Sequence, residues 1–183
     1  GFDFITKKMI MFQIGDEHEQ FVIDTRVVSI ESLRDILQSK HIIKIFHNAK
    51  FDYKFIKHWS NIDCENIYDT YLVERVLNCG RDNVSYGLKD VCKKYLNVEL
   101  NKDVRNQFVG MSSMPFPDSQ IVYGAKDVEY LIKIRANQIP LINWNQLDKV
   151  VDLENEVVLA FADIEYNGLD LDSEKWKEIE AVN

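Results

Sequence analysis

The sequence has little glycine and proline and no long apolar run. Its 7 glycines and 3 prolines in 183 residues argue against a turn-rich β-sandwich and favour long helices. The longest uninterrupted apolar run, from Val157 to Ala162, is far shorter than the roughly 20 residues that cross a bilayer. We therefore expect no contact with a membrane, and the 46% hydrophobic content predicts one α-rich α/β domain with a real core.

Cysteine is also scarce. Cys64, Cys79 and Cys92 are an odd number without C-x-x-C spacing, so neither a disulfide framework nor a zinc site is expected. The first residues lack a basic stretch followed by an apolar core, so they do not resemble a secretion signal. These features favour a reducing compartment. The expectation is a cytoplasm, including that of a phage-infected host, and an organelle is also compatible.

The net charge of −8 is unevenly distributed. Residues 141–183 carry 11 acidic and 3 basic residues, which leaves residues 1–140 neutral. Within the neutral part, bases interleave with aromatic residues in two groups, namely Lys50, Lys54 and Lys57, and then Lys89, Lys93, Lys94, Lys102 and Arg105. Such groups can contact phosphates and bases of a nucleic acid. They can equally be solvated helix faces, which spacing alone favours.

Short strands and helices alternate along the chain. Apolar patterning and helix-capping residues predict a hairpin and a third strand, then helices that dominate the second half. The predicted strands cover 9–15, 20–24 and 42–46, and the predicted helices cover 31–39, 51–59, 69–77, 85–95, 118–140 and about 147–166. A loop is expected at 111–117, and Pro140 should interrupt the long helix. We expect a domain over residues 1–140 and an acidic helical segment over 141–183.

Candidate chemistry begins directly after the third predicted strand, in the segment His47–Asp52. Ligands of open α/β sheets bind beyond the carboxyl ends of strands, where a carboxylate in the next helical turn is well placed. Asp52 is therefore a candidate metal ligand. An acid in the first turn of a helix is also favoured by the helix dipole, and for Asp52 alone that interpretation is the stronger one.

A second candidate pair lies in the long helix after residue 118. Tyr123 and Asp127 are four positions apart, which places a phenol and a carboxylate on one helix face. Carboxylate oxygens suit Mg²⁺ or Mn²⁺, and a nearby phenol can orient a water molecule. Taken alone, the pair is better explained as a partly buried tyrosine beside a surface aspartate.

Together, H-N-x-x-F-D after a strand and Y-x-x-x-D in a helix resemble the second and third motifs of the tyrosine subclass of DEDD 3'-5' exonucleases. The resemblance covers essentially the whole chain and implies a ribonuclease H-like mixed sheet flanked by helices. It implies that Asp52 and Asp127 ligate Mg²⁺ or Mn²⁺ in a two-metal site. Tyr123 would position the attacking water. Asn48, Phe51 and Tyr123 would contact the 3'-terminal nucleotides.

The sequence departs from this family pattern in two ways. At Gly124 the family commonly has alanine, and we expect only a small loss of helix propensity. The first motif, D-x-E, is not found before the strand that ends at Gly15. Asp3 does not replace it, because Ile5 stands where the glutamate would be. The sequence is therefore expected to begin after this motif, without the first strand and two carboxylates, and to be weakly active or inactive.

The acidic end of the chain suggests a context for such a domain. Residues 152–172 resemble the segment that joins the exonuclease and polymerase domains of family A DNA polymerases. This resemblance implies a proofreading domain that acts on the single-stranded 3' end of DNA, with a polymerase domain as the partner of residues 141–183. Two alternatives stay open: an RNA-trimming exonuclease similar to ribonuclease D, and a non-catalytic module that keeps the exonuclease fold.

Overall fold

The computed structural model describes residues 3–100 and 115–182, which contain four strands and eight helices. The elements in chain order are β1 (Met11–Gly15), β2 (Gln20–Asp24), a 3-10 turn (Ile30–Leu33) that continues into α1 (Arg34–Leu37), β3 (Lys44–Phe46), α2 (Ala49–Ser60), β4 (Ile67–Asp69), α3 (Thr70–Leu77), α4 (Leu88–Leu96), α5 (Asp118–Glu129), α6 (Leu131–Asn145), α7 (Asp148–Asn167) and α8 (Ser173–Val182). None of these helices is both long enough and apolar enough to cross a bilayer.

The four strands form two pairs. β1 runs antiparallel to β2, and the turn between them is closed by Asp16, whose Oδ1 accepts hydrogen bonds from the backbone N–H groups of His18 and Glu19 at 2.7 and 2.8 Å. β3 runs parallel to β4, with Phe46 opposite Asp69. Within the described residues, no further strand pairs with β1 or β3. Antiparallel and parallel pairing in a helix-rich chain confirm the predicted mixed α/β class.

The main core lies where α2 packs against α7. Tyr53 and Ile56 of α2 are buried together with Val158 and Ala162 of α7, and Phe12 of β1 joins the same cluster. Burial of a large apolar side chain stabilises a fold by about 1.5–3 kcal/mol, so this cluster supplies much of the energy that joins the two halves of the chain. The acidic segment from residue 141 is thus tied to the rest of the fold through α7.

A buried carboxylate connects three other helices. Glu74 of α3 is fully buried and accepts hydrogen bonds from Lys94 Nζ and the Tyr95 hydroxyl of α4 at 2.5 and 2.6 Å. Asn78 Nδ2 and Gln138 Nε2 donate to it at 2.8 and 3.3 Å. A buried charge is tolerated when its oxygens are paired in this way, and breaking such a pairing is strongly destabilising.

Several elements differ from the sequence-based prediction. β4 and α8 were not predicted, and α6 passes through Pro140 without interruption. Pro140 removes the hydrogen bond to the Ala136 carbonyl, but both residues are exposed, so water can satisfy that oxygen. Most of the loop expected at 111–117 lies outside the described residues.

Asparagines occupy the left-handed backbone region at several turns. Asn48 precedes α2 with φ 72°, Asn61 ends α2 with φ 50°, and Asn97 ends α4 with φ 54°. Asparagine enters this region more readily than other residues that carry a β-carbon, although glycine is the usual choice there. The low glycine content therefore does not prevent sharp turns.

Gly124 allows α5 to pack closely against β1. It is buried, and a β-carbon at this position would lie 3.1 Å from Met11 Sδ and 3.3 Å from Gln13 Cγ. The glycine therefore does more than lower helix propensity, which was the only effect expected from the sequence.

We expect Gly124→Val to lower the free energy of unfolding by about 1–3 kcal/mol, because the added side chain pushes against β1. Urea denaturation would measure this loss. Lys126→Val, at an exposed position of the same helix, is the control for placing a β-branched residue in α5. Equal losses in the two variants would show that close packing on β1 is unimportant.

Candidate functional site

Asp69 organises the candidate site at the carboxyl end of β4. Its side chain is buried, with 1% of its surface exposed. Its Oδ1 accepts hydrogen bonds from the backbone N–H groups of Asn48 and Tyr71, both at 2.9 Å, and its Oδ2 accepts one from Ala49 at 2.8 Å. One carboxylate therefore caps α3 and also holds the first residues of α2.

The turn from β3 into α2 is fixed by further hydrogen bonds. Asn48 adopts a left-handed conformation, with φ 72° and ψ 56°, which allows the helix to begin directly after the strand. The Thr70 hydroxyl donates to the Phe46 carbonyl at 2.8 Å, and it also lies 2.9 Å from His47 Nδ1. These contacts place Asp52, in the first turn of α2, beyond the carboxyl ends of β3 and β4.

Asp52 lies in a strongly acidic environment. Removal from water is the largest cause that raises its pKa, from an ordinary 3.8 to about 7, and the negative charges of Asp69 and Asp127 raise it further. Its side chain keeps part of its surface exposed. The charge of Asp127, 75 positions away in the sequence, therefore acts on Asp52; that the two side chains share a metal ion stays a prediction. A proton or a cation is favoured there.

Tyr123 and Asp127 stand one turn apart on α5, and both are partly buried. They line a cavity of about 220 Å³. Lys126 and Tyr130 extend its α5 side, and the chain after α4 supplies the opposite wall through Val98, Glu99 and Leu100. A cavity with aromatic rings and one lysine beside a carboxylate offers contacts to both a base and a phosphate.

Asn48 and Phe51 belong to the same start of α2 as Asp52. Asn48 is exposed, and Phe51 is half-buried, with its ring centroid 5.1 Å from that of Phe55. Their contacts with a 3'-terminal nucleotide stay a prediction.

A divalent cation fits this site only in part. Asp52 and Asp127 supply hard oxygen donors, and a cation would relieve the repulsion that raises the pKa of Asp52. The oxygens of Asp69 are already engaged by backbone N–H groups. Within residues 3–100 and 115–182, no three acidic, histidine or cysteine side chains form a ready metal cluster.

Most of the basic residues on α2 form ion pairs with α7. Lys50 and Lys54 bind Glu165 at 2.5 and 2.7 Å, and Lys57 binds Asp163 at 2.6 Å. In the second basic group, Lys93 and Lys94 pair with Glu99 and Glu74, while Lys102 and Arg105 lie outside the described residues. The structure therefore favours intramolecular pairing of these lysines over the nucleic-acid interpretation.

Sequence reasoning did not assign a role to His47 or the full role of Asp69. Burial lowers the pKa of His47 to about 4, so its ring is neutral near pH 7. The ring lies nearly perpendicular to that of Tyr71, in a T-shaped contact. From the sequence, Asp69 was only the first residue of a predicted helix over 69–77. The available signal was the order of a buried apolar segment followed directly by Asp-Thr, which places a carboxylate at a strand end.

Comparisons with known proteins identify relatives of this chain. A family described as 3'-5' exonuclease matches residues 3–139. Human Exosome complex component 10 is 30% identical over 126 residues, which are 68% of this chain and 14% of that protein. Ribonuclease D of Bartonella henselae is 24% identical over 144 residues, which are 78% of this chain and 33% of that protein. The chain thus spans a third or less of these two relatives.

Solved structures share the fold. NrnC of Brucella melitensis superposes with a TM-score of 0.80 at 20% identity, covering 92% of this chain and 81% of that one. Escherichia coli RNase D gives a TM-score of 0.70 at 20% identity, covering 94% of this chain and 44% of that one. The predicted ribonuclease H-like mixed α/β fold is confirmed.

These relatives correct the predicted context. The interpretation as a proofreading domain of a family A DNA polymerase is wrong, as are the DNA end and the polymerase domain as partners, since the relatives are ribonuclease D and exosome proteins. The segment that suggested a polymerase junction is the amphipathic helix α7, which ends at Gly168 with φ 69° and packs on α2. Such a pattern arises in any helix buried on one side. The match over residues 3–139 shows that the chain belongs to the 3'-5' exonuclease family of the DEDD superfamily.

Proposed function

We propose that this chain is the catalytic domain of a metal-dependent 3'-5' exoribonuclease that shortens RNA from its 3' end. The observation that carries the proposal is the match of residues 3–139 to the 3'-5' exonuclease family, and it is supported by the charge of Asp127, which contributes to the raised pKa of Asp52. RNA is favoured because the relatives include ribonuclease D, and a Trypanosoma brucei RNase D of the same fold was solved in complex with RNA U12, at a TM-score of 0.62 and 16% identity.

Asp52 and Asp127 would hold Mg²⁺ or Mn²⁺. Their oxygens are the donors that these ions prefer, and NrnC, which shares the fold at a TM-score of 0.79 and 19% identity, was solved with bound Mg²⁺. When bound, divalent cations neutralise charge on the phosphate and lower the pKa of water. A complete two-metal site requires more carboxylates than these two, and the non-catalytic alternative rests on that shortfall.

The other residues would bind and orient the substrate. Tyr123 would direct its hydroxyl at the attacking water from one turn before Asp127. Asn48 and Phe51, at the start of α2, would contact the terminal nucleotides. Asp69 fixes the position of that helix through its hydrogen bonds to Asn48 and Ala49, so it would act as a positioning residue.

The direction of digestion and the substrate class can be tested by incubating the complete protein with labelled oligonucleotides. We expect single-stranded RNA labelled at its 5' end to give a ladder that shortens from the 3' end, in Mg²⁺ or Mn²⁺. DNA of the same sequence should be degraded more slowly. Asp127→Asn should lower the rate at least about a hundredfold, because it removes a charge that holds the cation. No digestion by the wild type would support the non-catalytic module, and faster digestion of DNA would contradict the RNA preference.

The role of Tyr123 can be separated from metal binding. Tyr123→Phe should lower single-turnover cleavage by about ten- to a thousandfold, because a group that orients the water is lost. The Mn²⁺ concentration for half-maximal activity should change little. Tyr166→Phe, on α7, is the control for loss of a tyrosine hydroxyl. Wild-type cleavage by Tyr123→Phe would remove this residue from the mechanism.

The raised pKa of Asp52 predicts a pH dependence of stability in metal-free protein. Between pH 4 and pH 7 the folded chain holds a proton on Asp52 that the unfolded chain has released, so stability falls as pH rises through this window. Asp52→Asn should flatten this fall and stabilise the fold at pH 8 by on the order of 1–4 kcal/mol. Urea denaturation in EDTA would measure it, with the exposed Asp82→Asn as control. An unchanged slope in Asp52→Asn would contradict the acidic environment described above.

A further inference from the structure

A second concave surface lies at the amino ends of β3 and β4, and it reaches the candidate site through Asn155, whose Oδ1 accepts a hydrogen bond from the backbone N–H of Asp69. This groove, of about 660 Å³, is bounded by α6, α7 and the amino end of β4. Its residues are Ile43, Glu65, Asn66, Ile67, Tyr68, Arg135, Ile139, Ile142, Asn143, Asp148, Val151, Asp152, Asn155, Glu156 and Leu159. Because the candidate site follows the opposite ends of β3 and β4, the groove is a distinct surface, although Asn155 connects the two.

One wall of the groove is a row of carboxylates. Asp148, Asp152 and Glu156 are four residues apart on α7, so they share one face of the helix at a rise of about 6 Å per step. All three are exposed, and in the described part of the chain none of them forms an ion pair. Further along α7, Asp163 and Glu165 are neutralised by lysines of α2. Of the four α7 carboxylates without an ion pair among the described residues, three therefore line the groove, and Glu154 is the fourth.

The floor of the groove mixes apolar and polar side chains, and among its lining residues Arg135 is the one cation. Isoleucines from the strands and α6 contribute to it, together with Leu159. Arg135 places its guanidinium 5.2 Å from the centre of the Tyr68 ring, and its Nε is buried with no hydrogen-bond acceptor among the described residues. An occupant could therefore bury apolar side chains and offer an acceptor to Arg135.

We propose that this groove docks an amphipathic helix of a partner protein with a basic edge. Apolar side chains of the partner fill the floor, and lysines or arginines at positions i, i+4 and i+8 face the three carboxylates of α7. The spacing of about 6 Å matches one helical turn, which favours a helix as the occupant. The acidic wall selects the sign of the partner's charge.

A second copy of this chain is a poor occupant. Its residues 141–183 carry 11 acidic and 3 basic residues and would repel the same region of another copy. The lysines of α2, its most basic helix, are already paired with α7. The proposal does not depend on the nuclease activity, so each can fail without the other.

The test uses a designed peptide as the probe. An 18-residue helical peptide with a leucine stripe and lysines at i, i+4 and i+8 is labelled, and its binding is measured by fluorescence anisotropy. We expect saturable binding that weakens as salt increases. The triple variant D148K/D152K/E156K should weaken binding at least tenfold and should gain binding of the matched peptide that carries glutamates. E174K/E178K/E180K makes the same charge change on α8 and should bind within twofold of the wild type.

The apolar contribution to peptide binding can be tested by substituting each of two adjacent exposed isoleucines. Ile43 lines the groove and is 44% exposed, whereas Ile42 is 46% exposed and lies outside it. Ile43→Glu should weaken peptide binding at least fivefold, and Ile42→Glu should leave it unchanged. Thermal melts of each variant check the fold.

Three results would overturn the proposal. One is the absence of saturable binding to the wild type. Another is equal binding of the lysine peptide by the wild type and the triple variant. The last is a dimer in sedimentation velocity that the triple variant abolishes, because it would make a second copy the occupant.

Discussion

The carboxylate of Asp69 is the contact on which the candidate site depends. Two helices begin at this one side chain, since it binds the first backbone N–H groups of α2 and also caps α3. Its own N–H donates to Asn155 Oδ1 of α7 at 2.7 Å, so the same residue connects the strand pair to the long helix. Burial raises the pKa of Asp69, while its hydrogen bonds to backbone N–H groups oppose that rise. The geometry of Asp52 therefore follows from contacts that Asp52 itself does not make.

The pairing of α2 with α7 explains why the charge asymmetry of the sequence misled the prediction of partners. The acidic end looked like a surface for a missing polymerase domain, yet Asp163 and Glu165 neutralise lysines within the same molecule. Partly exposed ion pairs contribute little energy each, so the apolar contacts of Tyr53 and Ile56 with α7 hold the helices together. The charges mainly set how the two helices align.

Much of the fold could be predicted because its helices are amphipathic and its hairpin alternates. β4 was not predicted because a strand of three residues shows too little periodicity. α6 continues through Pro140 because the residues there are exposed, so water can replace the lost backbone hydrogen bond. Asp52, Tyr123 and Asp127 were predicted as site residues because two motifs together resemble the exonuclease family, and their roles stay a prediction. The substrate was not predictable in the same way, because those motifs report the reaction and not the nucleic acid, and the role of Asp69 requires contacts to residues 20 positions away.

The left-handed asparagines have a consequence for the unfolded chain. Glycine would fit Asn48, Asn61 and Asn97 with less strain, but it would give the unfolded polypeptide many more backbone conformations to lose on folding. Each asparagine accepts a small strain in the folded state and restricts the unfolded ensemble. At the start of α2 this exchange stabilises the turn of the candidate site without adding a contact, because the unfolded chain has less conformational entropy to lose.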